Sequence, residues 1–398
     1  MNPYLMTRPP RRWEAKLSPL LVRLTGWLMR RKAMKECQLE KVDVENAHIV
    51  RDALNNGYGV LITPNHPTHA DAYSMNAASA AVGHPMYFMA TWHVFANQGW
   101  AGQWLLQKYG TFSIDREGTD LEAMRIAQDI LKNRRFPLVI FPEGEVYHTN
   151  DRVTPFREGA AALAYLAARR SERKIVCIPA ALKYHYTSDP MPELLELTSE
   201  LETAVHWRPT PEKPIVERLY RLGAALICLK ELEYLDTVQE GTLTDRISKL
   251  SNHILRIHEA DFEMDESDKT IPERVKELRN ECLKRLEALG EADNEQRLLL
   301  DKRLDDCFLA VQLYSYPGTY IAENPTVERV AETLDKLEED VLDQYSATTR
   351  GMRRSTVRFG EPIEVPTRKH RDLIVELTDQ IEGAVQAMLD DLNNYSSR

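Results

Sequence analysis

The sequence predicts an α/β fold: a central, mostly parallel sheet flanked by helices, with a long inserted all-helical block. Three observations predict it. Short, continuous apolar runs recur over residues 55–185 and end in proline, as strands buried on both faces do. Helical periodicities lie between them. After about Ser188 the texture changes to long polar-and-leucine stretches, and near Ser355 it changes back.

The first element is basic and amphipathic. Residues 1–36 carry nine Lys and Arg against Glu14 and Glu36, a net charge of +7. Leu20, Leu21, Leu24, Trp27 and Leu28 form one helical stripe. Trp13 and Trp27 suit a lipid headgroup region, and the arginines suit anionic lipid. Residues 1–36 are therefore expected to meet a membrane surface. Arg23 interrupts the apolar stretch, which makes a poor signal peptide. No run approaches the ~20 apolar residues of a membrane-spanning helix.

Strands are expected over 59–63, 86–90, 137–141 and 174–178, the last continuing toward Lys183-Tyr184-His185. A helix is expected over 119–133, with Leu121, Met124, Ala127, Ile130 and Leu131 on its face. A second, alanine-rich one covers Ala160 to Ala168, where small side chains allow close approach to a sheet. Residues 214–260, 271–315 and 325–350 read as helices, with turn signals at Glu240-Gly241, Gly290-Glu291 and Tyr316-Pro317-Gly318. No internal repeat is evident there. Residues 188–350 hold 36 acidic and 20 basic side chains. Ser355 to Ile363 is strand-like, and a last helix carries the stripe Leu373, Leu377, Ile381, Val385, Leu389. The expected divisions are 1–40 (basic segment), 41–187 (first part of the α/β domain), 188–351 (acidic insertion) and 352–398 (return strand and final helix). A lone strand needs a sheet to join, which makes the block an insertion.

The overall charge of −10 argues against a dedicated nucleic-acid binder. Cys37, Cys177, Cys228, Cys282 and Cys307 show no metal-type spacing and read as buried, reduced thiols.

Two loops at strand ends carry chemistry. Asn65-His66-Pro67-Thr68-His69-Ala70-Asp71 holds a histidine and a carboxylate five positions on. Such a pair can serve as general base and orienter: the imidazole takes a hydroxyl proton and the carboxylate fixes its tautomer. Two other roles compete, namely a metal site built from His66, His69 and Asp71, and capping of the following helix by His66. Phe141-Pro142-Glu143-Gly144 lies where α/β sheets place ligands; alone it reads equally as a strand-end turn with a solvated glutamate. Arg116, after Gly110 to Asp115, is a candidate phosphate clamp or a surface ion pair. No Gly-x-Ser-x-Gly elbow is present.

Taken together, His66-x4-Asp71, Ser113-Ile114-Asp115-Arg116, Phe141-Pro142-Glu143-Gly144 and Ile178-Pro179-Ala180 resemble the four ordered blocks of the glycerolipid acyltransferase family (PlsC, or lysophosphatidate acyltransferase, type). Phe156-Arg157-Glu158-Gly159 is similar to its Phe-x-x-Gly segment, and Val357 to Ile363 to its last strand. The resemblance covers about residues 45–185 and 352–390. It implies an O-acyltransferase acting on 1-acylglycerol-3-phosphate or a related lyso-glycerolipid. His66 would be the general base and Asp71 its orienter; Phe141, Pro142, Glu143 and Gly144 would shape the acceptor site, and Arg116 would meet an acceptor phosphate. The donor would be acyl-CoA or acyl-carrier protein, with no metal and no further cofactor. The place would be cytoplasmic, peripheral on the inner face of a membrane. The insertion would cover the acyl tunnel, serve a second copy or bind a protein partner, and the sequence does not choose among these. The sequence departs from the family at Glu145, where many members carry a basic residue shortly after the glycine. Two charges ~4 Å apart repel by about 4 kcal/mol at an effective dielectric near 20. Lysophosphatidate then requires Arg116, Arg152 or Arg157 to offset the acid; a lysophospholipid, another lipid alcohol or an amine is the alternative acceptor. A different class of function, a non-catalytic membrane scaffold on an acyltransferase relic, would put the working surface in the acidic block.

Overall fold

The structure is a computed structural model that describes residues 9, 11–115, 120–264, 269–289, 294–316, 318–368 and 370–396. The chain divides into two compact units, Pro10–Met191 with Thr348–Arg398, and Pro192–Ala347.

The first unit is the α/β one. Its elements are α1 (Pro19–Glu36), β1 (Leu39–Glu45), α2 (Ala47–Asn55), β2 (Gly59–Pro64), α3 (Asp71–Val82), β3 (Tyr87–Thr91), α4 (Trp92–Ala96), α5 (Trp100–Lys108), β4 (Thr111–Ile114), α6 (Leu121–Asn133), β5 (Leu138–Val139), α7 (Gly159–Ala168) and β6 (Ile175–Tyr186). The sheet order is β1-β7-β6-β2-β5-β3-β4, where β7 (Arg353–Phe359) and β8 (Ile363–Glu364) come from the far end of the chain. All neighbours are parallel except β6, which runs antiparallel to β7 and β8. The sheet is therefore mostly parallel and flanked by helices, as the apolar runs require. β2 is buried along its whole length, and β6 carries Pro179 at its middle. That proline lacks an N–H, but its carbonyl still accepts from Gly360 N–H (2.8 Å), where β8 gives way to β7 as the neighbour of β6. One core face joins β-strand side chains to α6, α7 and α15 (Leu373–Ser396); the other joins them to α2 and α3. The stripe Leu373, Leu377, Ile381, Val385, Leu389 is buried in the first of these.

Several expectations change. Trp13 is not at a headgroup-facing surface: it is 3% exposed, stacks on Phe95 at 5.0 Å, and bonds Ser113 through its backbone. The segment before α1 is thus part of the core. Residues 111–114, for which the sequence predicts no element, form the edge strand β4 beside β3. Leu121 is exposed, because Asp120 caps the helix by accepting from Ala123 N–H (3.1 Å) and this sets Ala123, Ala127, Ile130 and Leu131 inward. The run 137–141 pairs as a strand only at Leu138–Val139. β1, α2, α4 and α5 carry too short or too mixed a pattern to stand out in the sequence.

The second unit is helical: α8 (Met191–Ala204), α9 (Ile215–Leu235), α10 (Leu243–Asp261), α11 (Ile271–Ala288), α12 (Asn294–Tyr314), α13 (Tyr320–Glu323) and α14 (Val327–Val341). The stretches 214–260 and 271–315 each hold two helices: the first break, Asp236–Thr242, contains the turn signal Glu240-Gly241, and the signal Gly290-Glu291 lies outside the described residues. The expected 325–350 helix ends at Val341. The structure also corrects the reading that no repeat is present. Glu202 pairs with Arg218 (2.8 Å), Glu231 with Arg246 (2.7 Å) and Glu259 with Arg274 (2.7 Å), each pair joining one helix to the next. The three arginines recur every 28 residues, each after an acid and before an apolar residue, with leucine four positions on: Leu222, Leu250, Leu278. Those leucines are fully buried. Three of the block's acids are therefore structural, and removing one partner of such a pair costs about 3–5 kcal/mol. Cys282 and Cys307 lie in its core, and of the five thiols Cys228 alone is half-buried and not fully buried.

Candidate active site

The site forms where parallel strands end. Pro64, the last residue of β2, ends the backbone ladder to β6. Asn65 continues it with a side chain: Oδ1 accepts from Leu182 N–H (2.7 Å) and Nδ2 donates to Leu182 O (3.0 Å). Asn150 does the same one step further, accepting from Tyr184 N–H (2.8 Å) and donating to Tyr184 O (2.7 Å). The exposed edge of β6 is thus satisfied by two amides, which is why the chain is free to leave the sheet at His66.

His66 and Asp71 come together. Four residues fold back so that Asp71 opens α3, where a helix N-terminus favours a carboxylate. His66 Nδ1 lies 2.7 Å from Asp71 Oδ2, which also accepts from Thr68 N–H (3.0 Å). Asp71 Oδ1 accepts from the Tyr184 hydroxyl (2.7 Å), and the Ser74 hydroxyl lies 2.8 Å from the same phenol oxygen, donating to it. Asp71 and Ser74 are fully buried. Burial and the Asp71 charge push the Tyr184 phenol well above its usual range, so it remains a donor. His66 does not cap α3; the Asp71 carboxylate ties the turn before it instead. The acceptor Asp71 places the proton on Nδ1 and leaves Nε2 as the basic ring atom.

The Pro142-Glu143-Gly144 turn is adjacent. Phe141 stacks on the His66 ring, centroids 4.2 Å apart and planes at 22°. Glu143 is 2% exposed, not a solvated glutamate. Its Oε1 accepts from His66 N–H (2.7 Å) and its Oε2 from Thr154 N–H (3.1 Å). Burial outweighs these two donors and pushes the carboxyl up to about 8. Gly144 has φ +81°, and Arg157 lies in the space a side chain would take: its Nε would be 2.8 Å from a Cβ there. The left-handed φ is what favours a glycine there. Arg152 is half-buried, as is Arg157. Arg116 lies outside the described residues.

The residues that brace the site were not foreseen. Tyr184 holds Asp71, and Ser74 holds Tyr184. The loop 151–156 that supplies Thr154 is pinned by α15: Gln386 accepts from Val153 N–H (2.9 Å), Glu382 from Phe156 N–H (2.6 Å), and Asn393 donates to Asp151 O (3.2 Å). Buried Lys183 pairs with Asp151. No local spacing announces partners more than a hundred residues apart; only the alternation along β6 hints that Tyr184 and Leu182 share a side.

A family model described as Acyltransferase, that of the glycerolipid acyltransferases of PlsC type, matches residues 41–183. Residues 41–183 are an acyltransferase domain. No curated protein matches the chain. The acyltransferase domain contains both loops described above, with β2 to β5 whole and most of β1 and β6, and its chemistry is acyl transfer. Its sheet is completed by β7 and α15 from beyond the matched residues. Among the described residues, no helix is long and apolar enough to cross a membrane.

Proposed function

We propose that the protein moves a fatty acyl group from acyl-CoA or acyl-carrier protein to a hydroxyl of a lyso-glycerolipid, with His66 as general base. The observation that carries this is the 2.7 Å bond between His66 Nδ1 and Asp71 Oδ2 at the C-terminal strand ends of an acyltransferase domain. His66 Nε2 takes the proton of the acceptor hydroxyl as its oxygen attacks the thioester carbonyl. Asp71 steadies the imidazolium. The tetrahedral intermediate then collapses, the carbon–sulfur bond breaks, and the imidazolium proton goes to the departing thiolate. No acyl group need rest on the protein, because the thioester already has a good leaving group. Glu143 acts on the backbone of His66 and Phe141 on its ring, and both fix the imidazole.

Arg157 answers the charge problem posed by Glu145. Its guanidinium lies against Gly144, the residue before that acid, and it offsets the repulsion of about 4 kcal/mol that an acceptor phosphate would meet. A phosphate-bearing acceptor, 1-acylglycerol-3-phosphate included, therefore fits this reading, with Arg116 as the second cation. The alternative metal site at His66, His69 and Asp71 is disfavoured by geometry: both Asp71 oxygens accept from protein donors and His66 Nδ1 is bonded to one of them. The α1 helix supports a peripheral place on a membrane. Leu20, Leu24, Trp27 and Leu28 are exposed along it, while Gly26 and Ala33 face inward.

The test is thiol release from palmitoyl-CoA with a panel of lyso-lipids. Acceptor-stimulated release should fall about 100-fold or more in His66→Ala, in line with the usual worth of a general base. Equal rates in wild type and variant would remove His66 from the chemistry.

A further inference from the structure

We propose that α5 is a second membrane-contact element, which sets the indoles of Trp100 and Trp104 in the headgroup region of an anionic bilayer beside α1. The inference deepens the reading of α1 as the membrane-facing helix and rests on it.

Trp100 is 82% exposed and Trp104 49% exposed. They are four residues apart, so they stand on one face of α5. Lys108 continues that row, its ammonium 6.0 Å from the Trp104 ring. Trp13 and Trp92 of the same unit are buried, whereas Trp27 on α1 stands outward as the α5 pair does. An outward row of two indoles and a lysine is the composition of a membrane interface, where the ring sits among headgroups and the cation meets phosphate.

The second observation is continuity with α1. The end of α5 is bonded to the start of α1: Ser18 N–H donates to Lys108 O (2.9 Å), and the Thr25 hydroxyl is 2.7 Å from that of Tyr109. The two exposed apolar rows thus belong to helices that meet end to side. Along α1 the outward face passes from Leu20, Leu24, Trp27 and Leu28 to Arg31 and Lys35, all exposed. A second copy of the chain is a poor occupant, because an isologous contact would bring two segments of charge +7 together. A bilayer that carries anionic lipid meets the apolar rows and the charge at once.

The experiment uses the full chain with Trp100 and Trp104 both changed to serine. Sedimentation is measured with vesicles of phosphatidylcholine alone and of phosphatidylcholine with phosphatidylglycerol, at low and high salt. Wild type should bind the mixed vesicles, and the double variant should bind them at least about tenfold more weakly. That loss should persist at high salt, because apolar insertion is not screened. A second variant, Arg31→Gln with Lys35→Gln, should lose binding at low salt only. Brominated acyl chains should quench wild-type tryptophan fluorescence, and the double variant less. Unchanged vesicle binding in the double variant, with an unchanged thermal melt, overturns the proposal. So does a wild type that runs as a dimer and a double variant that runs as a monomer, since the face is then a protein interface. Acyl transfer to a short-chain, water-soluble acceptor without vesicles is read separately. Its absence in wild type would count against the catalytic reading and leave the membrane result standing.

Discussion

Asp71 has two carboxylate oxygens and three donors around them, from His66, Thr68 and Tyr184. The Tyr184 bond governs how strongly the carboxylate can hold the imidazolium, because the phenol competes for the same charge. In Tyr184→Phe the ring still fills its buried place and only the hydroxyl is lost. The dyad then has one donor fewer and its carboxylate is less firmly placed, so kcat/KM should fall several-fold, about the loss of one hydrogen bond to a charged group. A buried hydrogen bond of that kind is worth about 1.5–3 kcal/mol, and stability should fall by that order. An unchanged kcat/KM with a lowered melt would reduce Tyr184 to packing alone. Glu143 makes a second prediction. Its carboxyl titrates near 8 in the folded protein, well above its ordinary range, because it is buried. The folded state therefore holds a proton that the unfolded state releases, and this group's stabilisation is full at low pH and lost as pH rises toward 8. The slope is up to about 1.4 kcal/mol per pH unit. Thermal melts of wild type should fall from about pH 6 to about pH 8 more steeply than those of Glu143→Gln, because that window lies between the ordinary carboxyl range and the folded titration; parallel curves would show that Glu143 does not carry this proton.

At the level of elements, what the sequence disclosed and what it hid divide along a physical line. β2, β6, α7 and α15 were legible because burial on one or both faces forces a continuous or periodic apolar pattern. His66 and Asp71 were legible because a helix start places the fifth residue back against the loop. Trp13 was misread, since an aromatic flanked by arginines has the composition of a membrane anchor and the composition of a core residue alike. Only the stacking on Phe95 decides between them. It also means that deleting the basic segment would damage the core, so the helix is better tested by surface changes on α1. The bracing of the site was hidden for another reason. Gln386, Glu382 and Asn393 sit on the polar side of α15 and resemble any solvated helix face. The repeated Glu-to-Arg clasps of the helical unit were present in the letters as acid-Arg-apolar-x-x-Leu. A search for helical periodicity alone passes over them, because charge is assigned to the surface by default.

The whole molecule is organised by one topological fact: the helical unit is inserted where a hairpin turn would be. β6 and β7 are antiparallel neighbours, with Tyr186 opposite Arg353. Thr187 N–H donates to Met352 O (2.8 Å) and Met352 N–H to the Ser188 hydroxyl (2.7 Å), so the chain leaves and re-enters the α/β unit at adjoining residues. An insertion whose ends lie side by side leaves the strand pair intact, and the loop-closure cost grows only as about (3/2)RT ln n. Each unit has its own apolar core, as separate folding requires. Replacing residues 189–350 with a short glycine-containing turn should therefore give a protein that folds and melts in one transition, with the sheet signature in far-UV circular dichroism retained. A chain that stays unfolded would show that the sheet depends on the helical unit. The same protein divides the acyltransferase reading from the scaffold reading. If thiol release survives the replacement and still falls in His66→Ala, the chemistry resides in the α/β unit and the acidic block serves something else. If release is lost from a protein that is otherwise folded, the block takes part in binding donor or acceptor, and the Glu-to-Arg clasps that order its helices become the places to perturb it.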